Sequence, residues 1–173
     1  MPGRWLLRHW ERWLCMLADR WDARGLRWGL LAVRLLLDRE PDKGIDVLSA
    51  WSTCTHWVIR HLAGRELHRC WPYREGETAV LLERLARDPH IRVREGAASS
   101  VARLLARGGE REWACFSKWV TSPAPEVRQT AAMAMIPLLH EGITHISLRE
   151  AAERLRSDPS DRVRTVIRFW PAG

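Results

Sequence analysis

The sequence predicts an all-α protein, a right-handed α-solenoid of about five helix pairs, on three observations. A short pattern recurs along the chain at intervals close to 35 residues. Apolar residues between the recurrences fall at helical spacing. No stretch alternates apolar and polar residues with the period of two that a half-buried strand requires.

The pattern reads Asp88-Pro-His-Ile-Arg-Val-Arg94, Ser122-Pro-Ala-Pro-Glu-Val-Arg128 and Asp158-Pro-Ser-Asp-Arg-Val-Arg164. Its closing arginines are 34 and 36 residues apart, and a further step of 34 back from Arg94 reaches Arg60. An apolar residue stands nine positions before each of the four: Trp51, Leu85, Trp119 and Leu155. The chain 1–173 is therefore read as a single repeat domain. Residues 1–40 are a Trp-rich N-terminal cap with a divergent first repeat, followed by repeats at 41–74, 75–108, 109–142 and 143–173.

The first expected helix covers about Arg4–Ala18. Leu6, Trp10, Trp13, Leu14, Leu17 and Trp21 form one stripe, and Arg4, Arg8 and Arg12 lie on another face. That arrangement suits a helix laid on phosphates, and equally a terminal cap with its polar face in water. A second helix is expected around Leu26–Leu37, and a third over Trp57–Arg69. The next pair is Glu77–Arg87, with Val80, Leu81, Leu82 and Leu85, and Ile91–Arg107, with Val93, Ala97, Val101, Leu104 and Leu105. Asp88, Ser122 and Asp158 are each read as a helix cap with the following Pro in the first turn. Ala97, Ala98, Ala131, Ala132 and Ala134 allow close approach of neighbours. The chain runs out soon after Arg164, so the last helix is short. Such pairs bury their apolar faces only by stacking on one another.

Apolar residues make up 46% of the chain and charged residues 28%, which excludes wholesale disorder. The net charge is +7 and the pI about 10.2, a balance that favours nucleic acid or an acidic protein surface. Residues 1–74 carry 13 basic and 8 acidic groups, residues 75–173 carry 15 and 13. Lys43 and Lys118 are the only lysines among 28 basic residues. Tryptophan dominates the aromatics, 11 against 1 Tyr and 2 Phe. Cys15, Cys54, Cys70 and Cys115 have no C-x-x-C spacing, and Arg4, Arg8, Glu11 and Arg12 interrupt any leader pattern. A reduced, cytoplasmic protein with free thiols, off the membrane, is expected.

The candidate nucleic-acid interface is the window 56–74, where Trp57, Trp71 and Tyr73 are interleaved with basic groups. His61, Arg65 and Arg69 are spaced to share a helical face, with His68 and Arg74 beside them. Trp71 and Tyr73 fall in the following loop, where a ring can stack on a base. Arg4, Arg8 and Arg12 complete the basic set. Cys54, His56, His68 and Cys70 make a poor metal site, because a helix over 57–69 separates its ends by about 18–20 Å. No metal, small-molecule cofactor or catalytic residue is assigned, since the chain holds no G-x-S-x-G, Walker loop, H-E-x-x-H or G-x-G-x-x-G.

The Asp-Pro…Val-Arg units resemble HEAT repeats, of the armadillo-like superfamily, whose inner helices open with an Asp and carry an Arg six positions later. Asp88/Arg94 and Asp158/Arg164 match, Ser122/Arg128 lacks the acid, and Cys54/Arg60 keeps only the Arg. The likeness spans roughly residues 42–170. It implies that Arg60, Arg94, Arg128 and Arg164 form a structural ladder pairing with cap acids of adjacent repeats, Asp88 and Asp158 among them. Trp51, Ile59, Arg60, Leu62, Ala63, Trp71 and Pro72 are also weakly similar to the HEAT-like DNA glycosylases of alkylation repair. That likeness implies duplex DNA held in a concave basic groove, with a Trp and a carboxylate excising an alkylated base; here Gly64 and Arg65 follow Ala63, and Glu66 is the only nearby acid.

The expected function is therefore non-catalytic binding of nucleic acid, DNA before RNA, through a basic concave face, as a subunit of a nucleoprotein complex. The alternatives are a protein–protein scaffold and a glycosylase-like repair protein. A basic groove favours the first, apolar patches on the concave face the second, and an aromatic pocket with a central carboxylate the third.

Overall fold

The computed structural model describes Met16, residues 23–168 and Trp170. Among them lie nine α-helices and no strand. They are α1 (Ala23–Arg39), α2 (Pro41–Trp51), α3 (Trp57–Glu66), α4 (Glu75–Ala86), α5 (Ile91–Leu105), α6 (Glu110–Val120), α7 (Pro125–His140), α8 (Ile146–Arg156) and α9 (Asp161–Ile167). The helix expected over Arg4–Ala18, with Arg4, Arg8 and Arg12, lies outside the described residues.

The helix starts differ from the cap reading in a regular way. Asp88 does not cap α5; its Oδ1 accepts the His90 N–H at 2.9 Å, closing a turn around Pro89. His90 is the cap residue, its Nδ1 accepting the Arg92 N–H at 3.3 Å. Asp158 likewise accepts the Ser160 N–H at 2.8 Å before α9 begins, and Ser122 Oγ the Ala124 N–H at 3.3 Å before α7. At Asp88 and Asp158 this turn leaves carboxylate lone pairs free for a long-range partner; Ser122 has no carboxylate to offer. A proline-first helix occurs where the sequence supplies a further Pro, at Pro125, and at Pro41 of α2.

Helix ends also move. α3 stops at Glu66 and a 3₁₀ turn takes Leu67–Arg69. α4 covers Glu75–Ala86 and α5 ends at Leu105, where the chain turns through Gly108 at φ +77°. A side chain there other than Gly, Asn or Asp is strained. Gly142, at φ +68°, plays the same part after α7.

Helices pack both on their sequence neighbours and, more extensively, on the next helix but one. α1 lies on α2, each even-numbered helix packs on the one that follows, and α3, α5, α7 and α9 stack in series. The stack is tightest at α3–α5. A Cβ built on Gly64 would sit 2.9 Å from the Ala97 N, and one on Gly96 2.6 Å from the His61 carbonyl oxygen. Ser100 Oγ donates to the Gly64 carbonyl at 2.5 Å, and His68 N–H donates to Ser100 Oγ at 3.2 Å. These contacts advance together along both helices, so α3 and α5 run parallel.

The core follows the row from Val33 and Leu37 of α1 to Val163 and Ile167 of α9. Trp51 and Phe116 are its largest fully buried side chains. Each fully buried Leu, Ile or Val contributes about 1.5–3 kcal/mol, opposed by the chain entropy lost on ordering it.

Candidate functional site

Long-range ion pairs tie the units together. The Arg60 guanidinium donates to both carboxylate oxygens of Asp88, at 2.6 and 3.1 Å, and to the Cys54 and Thr55 carbonyls. Arg128 repeats the geometry on Asp158 at 2.6 and 3.0 Å, with the Ser122 and Pro123 carbonyls. Arg164 donates to the Asp158 and Pro159 carbonyls and to Asp161. Arg94, buried at 7% exposure, donates to the Asp88 and Pro89 carbonyls and to Gln129 Oε1. Hydrogen bonds to Arg128 hold the Asp158 carboxyl below its ordinary range, against the opposing effect of burial.

The residues of the 56–74 window divide into three groups. His68 and Trp71 are core: they are 5% and 6% exposed, so neither offers a face to a nucleic acid in this arrangement. Trp71 lines a small apolar gap with Leu82, Val101 and Phe116. Arg69 and Arg74 face acids. Arg69 donates to Glu66 at 3.1 Å and lies 3.8 Å from Asp38, while Arg74 meets Asp42, Asp46 and Glu77. The 3₁₀ turn accounts for Arg69: three residues wound at about 120° instead of 100° turn it roughly 60° further from the Arg65 face than a continuous α-helix would. Arg65 and Tyr73 form the third group; Tyr73 is 57% exposed, and Arg65 makes no ion pair among the described residues. His61 Nδ1 is 2.5 Å from the Arg92 carbonyl oxygen.

Glu66 is the one buried carboxylate of the window, and Arg34 grips both its oxygens at 2.7 and 2.9 Å. Burial raises its pKa, but Arg34, Arg69 and His68 outweigh it, and the group stays below its ordinary range. A carboxylate so held is an anchor for α1 against α3. Burial is also what pushes Cys70 up to about 12 and His68 down to about 4, the latter with help from Arg103 and Arg107. Both are neutral at physiological pH. No group of three His, Cys, Asp or Glu among the described residues is placed to hold a metal ion.

The open face of the stacked row carries a groove of about 550 Å³ that the motif reading did not find. Ile91 and Ala98 of α5, Met133, Ile136 and Pro137 of α7, and Val166 of α9 supply its apolar surface. Ile91 is 39% exposed and Ile136 40%. One sequence signal was available. Ala131–Leu139 is an unbroken apolar run, so α7 is apolar around its circumference rather than along one stripe. Glu95 borders the groove but is paired with Arg92 at 2.9 Å. Beyond it, Arg103 lies one turn past Ser99 on α5 and Arg107 follows, both exposed and with no acid between Ala97 and Gly109.

These features define a protein that is all-helical among the described residues, with arginine–carboxylate clasps between helices and an apolar groove along α5, α7 and α9. No protein-family model, curated protein or solved structure matches the chain. No helix among the described residues is long and apolar enough to cross a membrane.

Proposed function

We propose that the chain is a right-handed α-solenoid of HEAT-like helix pairs that works as a protein-interaction module, holding a partner polypeptide on the open face of α5, α7 and α9. The observation that carries this reading is the apolar groove of Ile91, Met133, Ile136, Pro137 and Val166, which the described residues leave open. Apolar residues exposed together on a rigid helix row are the usual mark of a docking surface. The test is the Met133 methyl resonance in a methionine-labelled sample, with fully buried Met135 as the internal reference. A partner segment in the groove shifts Met133 and leaves Met135 in place; binding that leaves Met133 unmoved sinks the reading.

Binding of nucleic acid is the second reading, and Arg65, Arg103 and Arg107 favour it. They make no ion pair among the described residues, and the field of Arg103 and Arg107 contributes to keeping His68 neutral. Catalysis of the glycosylase kind draws less support, because Arg34 occupies both oxygens of Glu66.

A further inference from the structure

The groove ends differently on its two sides, and the difference says what chemistry fits it. On the α7–α9 side the lining is Met133, Ile136, Pro137 and Val166, with Gln129 and Thr165 as its polar neighbours. Toward α3 and the C-terminal end of α5 the neighbours of the groove are cationic: Arg65 and the groove residue Glu95 both act on His61, Arg103 is one helical turn beyond the groove residue Ser99, and exposed Arg107 follows the end of α5. Nearby acids are already engaged. Glu66 is held by Arg34 and Arg69, Glu95 by Arg92, and Asp88 by Arg60. The positive end therefore keeps its field, while the groove lining on α7 and α9 carries no charged side chain.

We infer that the partner segment is an acidic amphipathic peptide, with apolar anchors on Met133, Ile136 and Val166 and carboxylates on Arg65 and Arg103. This rests on the docking reading above and adds the chemistry of the occupant. A purely polar polyanion leaves the apolar half of the face wet. A purely apolar segment leaves the arginines without partners. Charge complementarity between the groove and the arginines one turn beyond it selects the segment that does both. Arg69 and Arg74 take no part, because their guanidiniums are already shared with Glu66 and Asp38, and with Asp42, Asp46 and Glu77.

The experiment is selection from a random 16-residue peptide library on the full chain, with parallel selections on Ile136→Glu and on Arg65→Glu/Arg103→Glu. All three positions are exposed or half-exposed, and far-ultraviolet circular dichroism verifies that the variants keep their helicity. Enriched peptides are expected to carry net negative charge and at least two apolar anchors, and to bind each variant about tenfold more weakly or worse. Exchanging Arg74 for Glu is expected to leave them unaffected. Peptides that depend on Ile136 but are neutral or basic overturn the acidic partner and leave the docking face standing. Acidic peptides that bind Ile136→Glu as well as the parent reduce the effect to simple charge attraction and overturn the inference. Absence of any enrichment that Ile136→Glu abolishes overturns the docking reading as well.

Discussion

Arg94 reaches Gln129 Oε1 at 3.2 Å, where the arginines of the units on either side reach an aspartate. Arg60 holds Asp88 and Arg128 holds Asp158, each through two hydrogen bonds, but the residue in register with them for Arg94 is Ser122. The buried Nε of Arg94 has no acceptor as a result. A buried guanidinium paired only with neutral oxygens leaves stability unrealised, because a charged acceptor is worth more than an amide.

Restoring the acid should therefore stabilise the protein. Ser122→Asp is expected to add about 1.5–3 kcal/mol, the range for hydrogen bonds to charged groups. Thermal unfolding reads this as a rise of roughly 2–4 °C per kcal/mol for a chain of this size. An unchanged or lower midpoint would mean that the carboxylate does not reach Nε.

Breaking the clasp should expose its pH dependence. The folded pKa of Asp158 lies below its unfolded value, chiefly through the hydrogen bonds from Arg128. Its contribution is thus complete above the unfolded carboxylate pKa and is lost as pH falls through the depressed folded value. Asp158→Asn should lower the urea midpoint at neutral pH and flatten its decline between neutral and acid solution. Parallel curves for the two proteins would show that another carboxylate governs the acid limb.

Two glycines should respond in opposite directions to the same substitution. Gly96→Ala puts a methyl 2.6 Å from the His61 carbonyl and forces α3 and α5 apart, at a cost of about 1–3 kcal/mol. Gly76→Ala meets nothing within 4 Å and sits inside the first turn of α4, so helix propensity should stabilise by about 0.5–1 kcal/mol. Equal effects at the two sites would contradict the close crossing.

Nucleic-acid binding, if present, should follow the unpaired arginines. Duplex DNA titrated by fluorescence anisotropy at several salt concentrations should lose about 0.9 from its salt slope for each phosphate contact removed. Arg103→Glu should produce that loss and Arg74→Glu should not, since Arg74 already faces Asp42, Asp46 and Glu77. Equal losses would place Arg74 on the phosphates, and absence of binding at the lowest salt would remove this reading.

Helicity and the phase of the repeat were legible from local chemistry. The recurring Pro, Val and Arg state where each second helix begins, and the apolar spacing states which side is buried, because both depend on residues a few positions apart. At Asp88 the helix begins two residues later than the residue pattern suggests, since a carboxylate ahead of Pro can either cap a helix or close an Asx turn. Side-chain partners, several of them about thirty positions away, decided the rest. Asp42, Asp46 and Glu77 take up Arg74, Arg34 and Arg69 take up Glu66, and the neighbouring helix covers Trp71, so a window that reads as basic and aromatic becomes largely a joint between units. The groove is a tertiary product in the same sense. Met133, Ile136 and Val166 are ordinary core-type residues along the chain. Only the serial stacking of α5, α7 and α9 leaves them together on an open face, because a side chain's burial depends on what packs against it and not on its own polarity.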